Sequence, residues 1–502
     1  MSVSAVAMDR WFSPCETLMP NSYDLIVIGG GSGGIGAALS AARGGLSVLL
    51  IERAPELGGT AVRAGVSCWE MGAGGTGIPF EIYLRLKTIP NAVGIYSVGR
   101  HAHWPGPGEE RPYPGGESVL DPDRGYLDTL RRCGAESMAH NEDFVREQWH
   151  GVPFEPKIYA GVVEDMLGET ELCDIWKSAE VVGVETDGLR LRWVEFRNGE
   201  KIEAPIFIDA TGGAKVVGMA GCRRLVGQES RQVFGEPDAP AEPNDQLNAV
   251  SLVYKVSPTE GTGIDSLPED IPAQCWWRQN FPCAAVNHLP EGDLSINMLP
   301  TMEGREAFEM GWQLAHEECR RRVRAHWHHF QNTFPEFRAY TLSWIAPEIG
   351  VRETFRMVAR YMLRQHDLSA GLSGQEHPDI IAVADHAMDT HGSPGGRSGC
   401  GELEEPYGIP YRCLLPRSLD NVLVACRGAG FSSLAASSCR LSRTIMQLGQ
   451  AAGTAAAIAT EKGGCPADVP ADQLRSRLSD QHVQLEWPLR PELEKYIQQK
   501  DA

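Results

Sequence analysis

Tyr23-Asp-Leu-Ile-Val-Ile-Gly-Gly-Gly-Ser-Gly-Gly-Ile-Gly-Ala-Ala38, closed by Val48-Leu-Leu-Ile-Glu52, is the stretch whose reading decides the fold. Leu25 to Ile28 is an apolar run short enough for a buried parallel strand, Gly29, Gly31 and Gly34 supply a G-x-G-x-x-G turn, and Ile35 to Arg43 reads as a helix. Together with the second apolar run they make one βαβ unit of about 30 residues. Gly29 permits the tight turn, Gly31 lets the backbone approach a pyrophosphate, and Gly34 lets helix and strand pack closely. The helix N-terminus offers unpaired N–H groups and a positive dipole end to phosphates. Glu52 closes the second strand, where a carboxylate can accept hydrogen bonds from a ribose diol. The unit predicts a bound dinucleotide. Gly72-Ala-Gly-Gly-Thr-Gly77 resembles the motif superficially, but no strand-like run precedes it and no amphipathic helix is read after it, so it is taken as a turn.

A chain of 502 residues, 42% hydrophobic and 22% charged, belongs to the ordinary globular class. That length suggests roughly two to four domains. Its 66 acidic and 46 basic residues leave a net charge of −20, which argues against nucleic acid or an anionic membrane as the main partner. It does not exclude an anionic small substrate, since a few arginines can dominate one pocket. The 13 cysteines are dispersed without C-x-x-C or zinc-site spacing. Scattered thiols fit a reducing compartment. The segment before Tyr23 holds only a brief apolar stretch, read as neither signal peptide nor membrane span, so a cytoplasmic protein without membrane insertion is expected.

Outward from the first motif, Arg53-Ala-Pro-Glu-Leu-Gly-Gly-Thr60 is a loop placed to lie beside the pyrophosphate. Residues 78–154 read as an irregular insertion with an amphipathic piece near Tyr126 to Ala139. A helix from Tyr159 to Leu167 leads into strands at Ala179–Glu185, Leu189–Phe196 and Ile202–Ile208, turned by Asp187-Gly188 and Asn198-Gly199. A long helix is read over Met302–Gln331; its His326, His328 and His329 lack a carboxylate at helical spacing and are assigned to a partly solvated helix end, with no metal. Ile349–Leu363 reads as a turn entering a helix, Asp420–Ala425 as a short buried strand, and Ser442–Thr460 as a helix of small residues that must lie against other backbone or a ligand.

Five blocks in order, Asp24 to Glu52, Gly58-Gly-Thr60, Ile208-Asp-Ala-Thr-Gly212, Gly350-Val-Arg-Glu-Thr354 and Ile409-Pro-Tyr-Arg412 through Ala459, resemble the FAD-dependent oxidoreductases of the glutathione-reductase-like superfamily. Within it the chain is most similar to the bacterial group called simply the FAD-dependent oxidoreductase family. The resemblance implies an α/β fold: a discontinuous Rossmann-like FAD-binding domain over 22–80, 155–222 and 342–462, a second α+β substrate or cap domain from 81–154 and 223–341, and a helical tail at 463–502. It implies FAD as cofactor, contacted by Gly29, Gly31, Gly34, Glu52, Arg53, Gly59, Thr60, Val181, Ala210, Thr211, Gly212, Arg427 and Gly449. The helix beginning near Ser442 resembles the one that points at the flavin pyrimidine. Where the family has Gly before the arginine, this chain has Cys426, so either no positive φ is needed there or the thiol faces the cofactor. No second G-x-G-x-x-G marks a separate NAD(P)H domain.

A flavin accepts hydride at N5, so the protein must place a substrate bond there and move a proton. Arg352 and Arg440 could hold a substrate carboxylate or hydroxyl, or steady the pyrimidine edge; the alternative is an arginine paired with Glu353 or another acid. His386 and His391, with Asp385 and Asp389, form the densest acid–base cluster outside the nucleotide motifs, against the alternative of a polar loop satisfying its own backbone. Cys68 is the thiol expected nearest the ring, as packing rather than redox group. The reading is an FAD-dependent oxidoreductase making a two-electron change in a small organic substrate with an unidentified electron partner. Its rivals are a flavin monooxygenase and a redox-neutral or structural FAD protein such as a lyase.

Overall fold

The computed structural model describes residues 22–99, 114–133, 142–391 and 399–502. Its centre is a five-stranded, wholly parallel sheet in the order Val422–Val424, Ile206–Asp209, Leu25–Ile28, Val48–Ile51, Cys173–Trp176. Every residue of the Leu25–Ile28 and Val48–Ile51 strands is buried, as expected of strands covered on both faces. The edge strand Cys173–Trp176 went unread because its Cys-Asp-Ile-Trp sequence is neither a continuous apolar run nor flanked by one.

The Ser32–Arg43 helix packs against Ser442–Glu461 at very short range. A Cβ on Gly34 would lie 1.7 Å from the Gly29 carbonyl oxygen, and one on Gly449 would lie 2.0 Å from the Gly33 carbonyl oxygen. The small residues of the second helix therefore serve backbone-to-backbone contact. An antiparallel meander, Val181–Asp187, Arg190–Phe196 and Lys201–Glu203, crosses over the sheet's end. The run read as one strand, Ile202–Ile208, divides at Pro205, which has no N–H to give a ladder; its first part closes the meander and its second enters the parallel sheet.

The second sheet has eight strands: Tyr340–Ile345, Val253–Pro258, Leu294–Leu299, Cys283–His288, Gly115–Leu120, Tyr96–Val98, His150–Pro153 and Cys68–Trp69. Both intervening chain segments contribute to it, so residues 78–154 are not merely irregular. One face carries Tyr254, Val256, Val286, Ile296 and Met298, packed with Val323, Trp327 and Phe330 of the Trp312–Thr333 helix. The alternate residues, Val253, Ala285, Asn287, Ser295 and Asn297, face a cavity.

Several local expectations are corrected. A helix, Ile78–Lys87, does follow Gly77, and its Phe80, Ile82 and Leu86 join the main core across the expected boundary at 80. The tail after 463 joins the same core through Leu474, Leu478, Leu493 and Ile497. Only Tyr126–Thr129 is helical, as a 3-10 turn, in the piece read as amphipathic; its end lies outside the described residues. The long helix breaks at Gly311 (φ 82°) into Gly304–Met310 and Trp312–Thr333. His326 is fully buried rather than solvated. Residues 349–363 form no helix: Arg356 is held between Glu229 and Glu353, and Arg356–Met357 pairs with Arg224–Leu225.

Candidate active site

A cavity of about 2440 Å³ lies between the carboxyl ends of the parallel strands and the polar face of the second sheet. Small-ligand pockets span about 300–1,000 Å³, so a dinucleotide here leaves room for a second molecule. Gly29, Gly31, Glu52, Arg53, Gly59, Thr60, Val181, Ala210, Thr211, Gly212 and Arg427 all line it. Gly34 and Gly449 are not among the lining residues; Gly34 lies against the Gly29 carbonyl and Gly449 against the Gly33 carbonyl of the neighbouring helix.

At the nucleotide end, Gly31 is the glycine that nothing in the protein requires. Its backbone is extended (φ −80°), and a Cβ there would come no closer than 3.9 Å to Gly59 Cα. The gap is one that a ligand rather than a neighbouring residue would fill. Glu52 pins the turn, accepting from the Gly30 N–H at 2.7 Å and the Ala54 N–H at 2.8 Å. Each of its oxygens keeps a further lone pair for a hydroxyl. Buried Asp209 shapes the Ala210–Gly212 loop by accepting from the Thr211 N–H, the Thr211 hydroxyl and the Val217 N–H. Arg53 pairs with Glu348 at 2.7 Å. Arg427 lies against Gly212, and its buried Nε has no partner among the described residues. Cys426 is buried with an ordinary negative φ, so the exchange for glycine costs the backbone nothing. A phosphate-bearing dinucleotide fits these groups: a cradle at Gly31 that a side chain would fill, an acid for the ribose and an unsatisfied guanidinium.

The first turn of Ser442–Glu461 also opens to the cavity. Its dipole is positive there, and Arg443 in the same turn adds a charge, held by the Thr129 hydroxyl at 2.9 Å and the Thr129 carbonyl at 3.0 Å. His391 Nε2 is 2.7 Å from Asp389 Oδ2, which also accepts from Arg440 at 2.8 Å. Burial and the charge of Arg352 hold the His391 pKa below its ordinary value, against the pull of Asp389. His386 takes a different partner: its Nδ1–H donates to the Ala387 carbonyl at 2.8 Å, while Nε2 lies 3.0 Å from Glu70 Oε2. With Nδ1 committed as donor, that contact requires one proton shared between His386 and Glu70. The Glu70 side chain is 48% exposed; its partial withdrawal from water raises the carboxyl, but His386 and Arg132 outweigh this and bring it down to about 2.

Asp385 fixes neither histidine. It accepts from the backbone N–H groups of Ala73, Arg132 and Cys133 and is buried, so it braces loops. Arg352 does not pair with Glu353, which binds Arg356. Its Nη1 donates to the Ala249 carbonyl at 2.6 Å and its Nη2 to the Ser251 hydroxyl at 3.0 Å. Burial and the Arg440 charge, opposed by Asp389 and Glu70, push its pKa down to about 10. Cys68 lines the cavity as a thiol whose pKa burial raises, and it forms no disulfide. Among the described residues no group of three or more His, Cys, Asp or Glu could hold a metal, and no helix is long and apolar enough to cross a membrane. Glu70, Arg132 and Ser251 went unread, because no motif surrounds them and their place depends on distant strands.

The family described as FAD dependent oxidoreductase matches residues 24–478. Over 47 residues the chain is 47% identical to 3-oxosteroid 1-dehydrogenase of Mycolicibacterium smegmatis (strain ATCC 700084 / mc(2)155), which is 9% of this chain and 8% of that protein. The chain thus matches less than a tenth of that relative's length. Among solved structures it is similar to a geranylgeranyl bacteriochlorophyll reductase-like protein from Thermoplasma acidophilum, at 12% identity and TM-score 0.44 over 96% of both chains. It is also similar to p-nitrophenol 4-monooxygenase from Pseudomonas putida DLL-E4, at 11% identity and TM-score 0.39 over 95% of this chain and 83% of that one.

Proposed function

The chain belongs to the FAD dependent oxidoreductase family, and from that premise we propose that it makes a two-electron, hydride-type change in a small organic molecule. FAD, when bound, supplies hydride exchange. Gly31, Glu52, Val181, Gly212 and Arg427 would hold its nucleotide half, and the first turn of Ser442–Glu461 with Arg443 would stabilise negative charge at the other end. The chain's own part is to bind the substrate, orient it and move a proton. His391 is the proton carrier: with Nε2–H given to Asp389, Nδ1 is left to take or return a proton, and Arg440 keeps Asp389 ionised.

The observation that carries this reading is the placement of the His391–Asp389–Arg440 group in the same cavity as the dinucleotide turn. Anaerobic incubation of the FAD-loaded protein with a panel of metabolites, followed by flavin absorbance, tests it. Bleaching by a small organic molecule supports it. A flavin reduced only by NAD(P)H, with oxygen consumed, would make the protein a monooxygenase, and turnover with no change in flavin oxidation state would make it redox-neutral.

A further inference from the structure

The protein as a whole carries a charge of −20, yet the cavity wall around His391 gathers arginines. Two of them are balanced: Arg440 by Asp389 at 2.8 Å and Arg132 by Glu402 at 2.6 Å. Arg352 is not. Among the described residues its partners are a carbonyl and a hydroxyl, with no carboxylate within ion-pair distance. Arg352 is half-buried in the cavity wall; a guanidinium partly withdrawn from water without a counter-ion is costly, and an arriving anion removes that cost.

The surroundings are built to hold this group still. The bonds to Ala249 O and Ser251 Oγ use two of five N–H donors and lock the guanidinium plane, leaving Nε–H and a second hydrogen on each terminal nitrogen. The same short segment also holds the proton carrier. Asn248 Oδ1 accepts from the His391 N–H at 3.1 Å, Asn248 Nδ2 donates to the Asp389 carbonyl at 3.0 Å, and the Ala249 N–H donates to the His391 carbonyl at 3.1 Å. Residues 248–251 therefore fix the guanidinium of Arg352 and the backbone of His391 in one frame. Arg440, whose buried Nε also has no partner, adds a second donor on the same wall. The cofactor's phosphates do not account for Arg352, because the nucleotide end has its own unpartnered guanidinium at Arg427.

We propose that Arg352, with Arg440 beside it, seats a carboxylate of the substrate, so that the molecule acted on is a small organic acid bound as its anion with the bond to be changed facing His391. This rests on the two-electron reading above and deepens it to a substrate class. A planar fork matches a carboxylate in a bidentate arrangement, which a lysine ammonium cannot copy.

The test is calorimetric titration of the FAD-loaded protein with benzoate and, separately, with benzamide, which shares its ring but lacks its charge. Benzoate is expected to bind at least about tenfold more tightly than benzamide, as charge-assisted hydrogen bonding implies. Arg352→Gln should abolish that preference while bound FAD stays stoichiometric, and Ser251→Ala should weaken benzoate by roughly three- to tenfold. Equal binding of the two probes, binding of neither, or an Arg352→Gln protein that keeps benzoate but releases FAD would overturn the proposal, the last assigning Arg352 to the cofactor. Should Arg352→Gln fail to fold, unchanged benzoate affinity in Ser251→Ala is decisive against it. Flavin bleaching by an uncharged metabolite alone would sink the anion seat and leave the two-electron reading standing; benzoate binding with no metabolite able to bleach the flavin would do the reverse.

Discussion

Gly31 and Gly34 sit in one motif, yet they are glycines for opposite reasons. The Cβ of Gly34→Ala would lie 1.7 Å from a backbone carbonyl oxygen, so that change must push helix from strand and lower stability by about 1–3 kcal/mol or more. Among the described residues other than its chain neighbours, Gly31→Val meets no atom closer than 3.9 Å at its Cβ, and it has an extended backbone that any residue adopts. It should fold with nearly unchanged urea midpoint and purify without FAD; a yellow, stoichiometrically loaded variant would show the phosphate to lie elsewhere. His391 offers a second test at this scale. Its pKa lies below the ordinary value of about 6.5, so the neutral, proton-accepting form persists below that pH and flavin reduction should fail only further into acid. Removing the Arg352 cation lets that pKa rise. In Arg352→Gln the acid limb of reduction at saturating substrate should therefore move to higher pH, measured by stopped-flow absorbance; an unmoved limb would mean that His391 is not the group titrating.

Among the elements, the Trp312–Thr333 helix holds the clearest consequence for stability. His326 on it is wholly buried, accepts from the Tyr254 hydroxyl at 2.8 Å and donates to the Pro282 carbonyl at 3.1 Å, which suits the neutral ring. Burial brings its pKa down to about 3. The unfolded chain, with an ordinary histidine, then binds a proton near pH 6.5 that the folded chain refuses until near pH 3. Stability attributable to this residue is therefore intact above about pH 6.5, falls by up to about 1.4 kcal/mol per pH unit below it, and is fully lost below about pH 3. His326→Gln should flatten the difference in urea midpoint between pH 7 and pH 5 relative to the parent; an identical slope would show that His326 is protonated while folded. The helix pair shows the same logic in steric form: Gly449→Val must displace the Gly33 carbonyl and with it the phosphate turn, so lost FAD in that variant should accompany lost stability rather than occur alone.

At the scale of the molecule, one cavity is walled by both sheets, and whatever fills it joins them. A cofactor present at 100 times its dissociation constant adds about 2.7 kcal/mol to the folded state by mass action. FAD-free protein should melt at a lower temperature than loaded protein, with a midpoint that climbs as FAD is added back. A midpoint indifferent to FAD would place the cofactor outside this cavity. The charge pattern acts at this scale too, since a chain of −20 with arginines inside its cavity separates solubility from recognition.

The parallel sheet and its phosphate turn were legible in the chain because their signals are local: an apolar run, a glycine spacing and a closing acid all fall between Leu25 and Glu52. The same held for the hairpins at Gly188 and Gly199, where a left-handed residue marks the turn. Where a signal was ambiguous over a few residues the reading slipped, as at Pro205, Gly311 and the non-helical Arg356 segment, each decided by what packs against it. The working end of the cavity belongs to the tertiary structure. Asp385 stood beside His386 in the sequence, but the imidazole is met instead by Glu70, 316 residues away, because Asp385 is consumed by three backbone N–H groups. Among the described residues Arg352 lacks a counter-ion because Glu353 turns to Arg356, while Ala249 and Ser251 arrive from the segment before the Val253–Pro258 strand. Periodicity and turn chemistry act between neighbours along the chain, so sequence alone determines elements; hydrogen bonds and unpaired charges are set by which elements meet, and that is decided only when the chain has packed.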